Sequence, residues 1–144
     1  MARYAERTSV PVDRTRDEIQ KELTRYGVKE YGFGVSPRGT GIIFKWKDRV
    51  YRLNVNDPSR RDFSSQQRYD QAVRSRWRVL LLCIKAKLNV IEDGDKTFED
   101  EFMAYMALPD GSTVGDFLKL PENQARLAQS QMPLLLMAEQ KGGE

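Results

Sequence analysis

Apolar positions along the chain follow first a helical period, then a strand period, then a helical period again. Ile19, Leu23 and Tyr26 fall on one face of a 3.6-residue repeat. Thr15-Arg16-Asp17-Glu18 ahead of them fits a capping box and Gly27 fits the C′ stop, so a first helix is predicted over about 15–26. Tyr31-Gly32-Phe33-Gly34-Val35 alternates strictly, and Ser36-Pro37-Arg38-Gly39-Thr40 is turn chemistry. Two further strands follow over Gly41–Lys47 and Val50–Val55. If Asp48-Arg49 forms the tight loop between them, Trp46 faces Tyr51, Phe44 faces Leu53 and Ile42 faces Val55 on one apolar face. The other face then sets Lys45 against Arg52, Lys47 against Val50 and Ile43 against Asn54.

Residues 56–67 read as a polar linker holding Pro58 and the pair Arg60-Arg61. A long helix is predicted from Gln66 to Asp93, its stripe formed by Val73, Trp77, Leu80, Ile84, Leu88 and Ile91, with Gly94 ending it. Thr97 and Thr113 are placed to cap short helices that carry Phe98, Phe102, Met103 and Met106, then Val114, Phe117 and Leu118. Leu108-Pro109-Asp110-Gly111 is a turn, and 122–131 can form one more helical segment. The fold class expected is α+β: an N-terminal helix, a three-stranded antiparallel sheet, a long helix and a small C-terminal helical cluster. Residues 1–12 are expected to be a flexible arm, 13–131 one domain and 132–144 a tail. The apolar Met132–Met137 segment either packs back on the domain or contacts a partner or second copy.

With 144 residues, 40% hydrophobic and 31% charged, the chain has enough length and apolar content for one core. No apolar run approaches the ~20 residues of a membrane span, and Met1–Arg7 has no apolar run of the kind a signal peptide needs. The net charge of +3 hides a division. Residues 1–91 carry a net +10 and residues 92–144 a net −7, which points either to a charged partner or to attraction between the halves.

There is no histidine and a single cysteine, Cys83, so His-based triads and the common zinc sets are excluded, and Cys83 reads as a buried small hydrophobe. Gly32-Phe33-Gly34 is not a dinucleotide fingerprint, because Pro37 stands where the third glycine belongs and no helix follows. These glycines are expected to leave a flat patch on the sheet's outer face or to mark a close backbone approach. Glu92, Asp93, Asp95, Glu99, Asp100 and Glu101 form an acidic cluster that suits a solvated helix start, without calcium-loop spacing. No catalytic residue, cofactor or metal is expected.

Thr15-Arg16-Asp17-Glu18-Ile19 and Leu23-Thr24-Arg25-Tyr26-Gly27 resemble the opening of a widespread family of small uncharacterised phage and prophage proteins. Arg76–Leu82, Ile84–Leu88, Thr97-Phe98-Glu99 and Leu108–Gly115 continue the resemblance, which covers about residues 8–120. It implies a viral protein acting in a bacterial cytoplasm, near phage DNA or against a host protein, and carries over no site residues. The order helix, three strands, helix also resembles the double-stranded-RNA-binding domain, without that family's basic patch at the second helix and with a C-terminal extension foreign to it.

The cations give the expected function. Lys45, Lys47 and Arg52 are expected on the sheet's outer face, Arg74, Arg78 and Lys85 on one side of the long helix, and Arg38, Arg60 and Arg61 on loops. Such groups neutralise phosphates, so the leading expectation is a non-catalytic accessory protein that contacts a DNA or RNA backbone. The aromatics Phe44, Trp46, Tyr51 and Trp77 fall on apolar faces and are expected in the core, which leaves base stacking without support. The alternative is a modulator of a host protein in transcription or defence. A homodimer is compatible with either.

Overall fold

The structure, a computed structural model, describes residues 7–134 and 136. Helix α1 spans Val12–Tyr26, strands β1 Glu30–Ser36, β2 Gly39–Trp46 and β3 Arg49–Asn54, and helix α2 Gln66–Glu92. A 3₁₀ turn, Arg60–Asp62, lies in the linker between β3 and α2. The short helices α3 Phe98–Phe102, α4 Val114–Leu118 and α5 Pro121–Leu127 follow, with a second 3₁₀ turn at Met103–Tyr105. The α+β class and the element order are those expected. Among the described residues no helix is long and apolar enough to cross a membrane.

The strands form one antiparallel sheet in the order β1-β2-β3. Its inner face, Phe33, Ile42, Phe44, Tyr51 and Leu53, meets Ile19 and Leu23 of α1 and Trp77, Leu81, Ile84 and Leu88 of α2. The end of this core is closed by α3. Phe98 lies 4.4 Å from Phe102, 5.3 Å from Trp46 and 5.2 Å from Tyr51, ring centroid to centroid. Offset and edge-on arrangements at such distances suit aromatic quadrupoles. Phe44, Tyr51 and Trp77 are buried and Trp46 is half-buried, as their positions on apolar faces imply.

Three local expectations are corrected. The hairpin loop is Lys47-Asp48, so Trp46 pairs with Arg49, Phe44 with Tyr51 and Ile42 with Leu53. This differs from the expected register by two residues, and a two-residue shift preserves which side chains share a face, so the hydrophobic pattern cannot tell the two apart. Lys47 takes the positive φ of 54° that a tight hairpin needs. Secondly, α1 begins one turn before the capping box. Pro11 is its N-cap, and Thr15 lies fully buried inside the helix with its backbone N–H donating to the Pro11 carbonyl. The extra turn is held by packing, because Val12 rests on the core. Thirdly, Cys83 is half-buried beside Val79, Leu80 and Tyr105 rather than fully enclosed.

The expected caps at Thr97 and Thr113 are present as reciprocal boxes with Asp100 and Asp116. The residues ahead of α1 are tied to α2 where Gln71 Nε2 donates to the Thr8 carbonyl at 2.6 Å, while 1–6 of the expected arm lie outside the described residues. In the tail, Met132, Leu134 and Leu136 are exposed rather than packed back on the domain. Residues 135 and 137–144 are outside the described set.

Candidate functional site

The outer face of the sheet is built by the even-numbered positions of β1 and their register partners. Glu30, Lys45 and Val50 form one row across the three strands, Gly32, Ile43 and Arg52 the next, and Gly34, Gly41 and Asn54 a third. Among the described residues no helix covers this side, and it forms a cleft of about 520 Å³. Its floor is glycine and aliphatic, with Ile43 46% and Val50 41% exposed. Glu30, Ser36, Lys45, Arg52 and Asn54 are its polar side chains.

The glycines have different reasons to be there. A Cβ at Gly41 would lie 2.1 Å from the Leu53 carbonyl oxygen, so β3 itself excludes a side chain. A Cβ at Gly32 or Gly34 would meet nothing within 4 Å. The fold therefore leaves room at both positions that the sequence does not fill, although glycine within a strand costs about 0.5–1 kcal/mol relative to alanine.

The nine cations expected to form a phosphate-binding surface occupy separate places. Lys45 and Arg52 are on the outer face, but opposite Val50 and Ile43 rather than each other. Lys45 Nζ is 3.8 Å from Glu30. Lys47 is in the hairpin loop, 6.0 Å from the Trp46 ring centroid. At the opposite end of the strands, Arg38 donates to the Asp110 carbonyl at 3.0 Å and Arg52 to that of Gly111. These two arginines fasten the Leu108–Gly111 turn to the sheet. Arg78 lies between the two long helices, donating to Glu18 Oε2 at 2.5 Å and to Thr15 Oγ1 at 3.4 Å. Glu18, expected to reach back to its own N-cap, serves this cross-helix pair instead. Arg74 donates to Gln71 Oε1 at 2.7 Å, and Lys85 is half-buried on α2. Arg60 is exposed and bonded to Gln66 Oε1 and the Phe63 carbonyl, and Arg61 beside it is exposed.

Sequence reasoning did not single out Arg16, Arg68 or Arg76. The Arg16 guanidinium sits 4.6 Å from the Trp77 ring and 5.6 Å from Phe33, a cation–π clasp between α1, α2 and β1. Arg68 and Arg76 line a second cleft, of about 420 Å³, with Asn56, Asp57, Pro58 and Phe63. Nothing in the periodicity distinguished these arginines from others on the same helix.

Within the acidic cluster, Glu92, Asp100 and Glu101 serve structural tasks. Glu92 accepts from Arg25 at 2.8 Å, Glu101 is 4.0 Å from Lys87, and Asp100 closes the cap of α3. Hydrogen bonds from the Thr97 backbone N–H and hydroxyl hold the Asp100 carboxyl below its ordinary value. Thr113 does the same for Asp116, and Ser112 for Asp110. Among the described residues, no three His, Cys, Asp or Glu side chains are grouped where they could hold a metal ion. Comparison of the chain with protein-family models, with curated proteins and with solved structures finds no match.

Proposed function

We propose that this protein is a non-catalytic binding module that receives a segment of another protein on the outer face of its sheet. The observation that carries the reading is the unfilled room at Gly32 and Gly34, where the chain accepts a weaker strand without any internal contact requiring it. The exposed Ile43 and Val50 beside them offer apolar contact, and the exposed Lys45 at the rim favours a ligand with a carboxylate near its apolar anchor. The resemblance to phage proteins makes a bacterial host protein the expected partner. The test fills the groove without touching the core: Gly34→Val and Ile43→Glu. In a nuclease-treated bacterial lysate, the wild-type chain is expected to retain a discrete protein that both variants lose. Equal retention by all three would remove this reading.

A second reading, phosphate-backbone binding, is favoured by a different observation. Arg68 and Arg76 line the second cleft at the start of α2, and exposed Arg60 and Arg61 lie in the 3₁₀ turn just ahead of that helix. It keeps two of the nine expected cations and moves the contact away from the sheet.

A further inference from the structure

We infer that β1 is a self-pairing edge, and that two copies of the chain join β1 to β1 antiparallel about a twofold axis passing beside Phe33. The two edges of the sheet are treated differently. Along β3, Met106 bridges Tyr51 and the Ala107 N–H donates to the Val50 carbonyl at 2.7 Å, which closes that side. Along β1, among the described residues, the backbone of 30–35 bonds only to β2. The open edge is seven residues long and contains no proline, lysine or arginine, the residues that usually blunt an edge.

A second copy is the occupant because the strand matches itself. Reversed about Phe33, Gly32 meets Gly34, Tyr31 meets Val35 and Glu30 meets Ser36. Inner-face positions thus meet inner-face positions, and no like charges are opposed. Val35 is 80% exposed and Tyr31 37%, and this register sets each against the other twice, once on either side of the axis. Self-complementary contact about a twofold closes after two copies, which limits assembly to a dimer. The product is a six-stranded sheet in the order β3-β2-β1-β1-β2-β3, its two glycine-floored faces continuous. This pairing concerns the edge of β1 and does not depend on what the face binds.

The test is sedimentation of the full chain over roughly 1 µM to 1 mM, with near-UV circular dichroism to confirm folding of each variant. The wild type is expected to dimerise. Tyr31→Lys with Val35→Lys opposes like charges and should weaken association roughly tenfold or more. Tyr31→Glu with Val35→Lys opposes unlike charges in this register alone and should restore it. A wild type that stays monomeric throughout overturns the inference, as does a dimer that the Lys/Lys pair leaves unchanged or that the Glu/Lys pair fails to recover.

Discussion

Single residues separate room kept by the fold from room kept for something else. Gly41 and Gly34 are paired across β1 and β2, yet only Gly41 is under steric compulsion, from the Leu53 carbonyl. Alanine at Gly32 or Gly34 should therefore raise stability by about 0.5–1 kcal/mol, by lowering the entropy lost on folding and adding strand propensity. Alanine at Gly41 should lower it by about 1–3 kcal/mol or force the hairpin to shift. Urea midpoints at constant m-value measure both. Destabilisation at Gly32 or Gly34 would mean that the open room serves the fold after all. The sequence marked Gly32 and Gly34 as a flat patch or a close approach; they are the open patch, and the close approach falls at Gly41, which the sequence reading did not single out. Alternation alone could not say which glycine had which role, since that depends on where the β3 backbone passes.

At the scale of elements, polar caps start the short C-terminal helices, while Phe98 and Phe102 of α3 share the apolar burial of the body. The cap carboxylates of α3 and α4 and the Asp110 carboxylate accept from Thr97, Thr113 and Ser112. Their folded pKa values lie below the unfolded value of about 3.9, so their stabilisation is complete above that pH and is lost as pH falls through the folded values. Amide exchange followed downwards from pH 6 should therefore show protection at Thr97, Thr113 and Ser112 failing below about pH 4, ahead of the α2 and β2 amides. Asp116→Asn should flatten that acid response for α4 alone. Both threonine caps were legible because a capping residue, its partner three positions on and an apolar follower are local. The start of α1 was not, because Val12 and Thr15 lengthen the helix through contacts with distant parts of the chain. Similarly, the faces of the hairpin were legible, while its loop was not, since a two-residue slip moves no side chain to the other face.

For the whole molecule, some of the cations of the basic part are spent on internal joints. Arg25 meets Glu92, Lys87 meets Glu101, and Arg38 and Arg52 hold carbonyls of the Leu108–Gly111 turn. Two of these contacts are ion pairs between the basic and acidic parts of the chain, and the two arginines reach backbone carbonyls. Composition could show the asymmetry but not which cations were already engaged, because pairs such as Arg78 with Glu18 span sixty positions. The difference is measurable with labelled duplex DNA. Nine phosphate contacts would give a log–log slope of affinity against salt of about −8, at roughly −0.9 per contact. Contact limited to Arg60, Arg61, Arg68 and Arg76 should give a slope no steeper than about −4. Arg60→Ala with Arg61→Ala should then reduce it by about 2, while Lys45→Ala should leave it unchanged. A slope near −8 that falls on removing Lys45 would return the sheet's outer face to nucleic acid, and with it the expectation drawn from the charges alone.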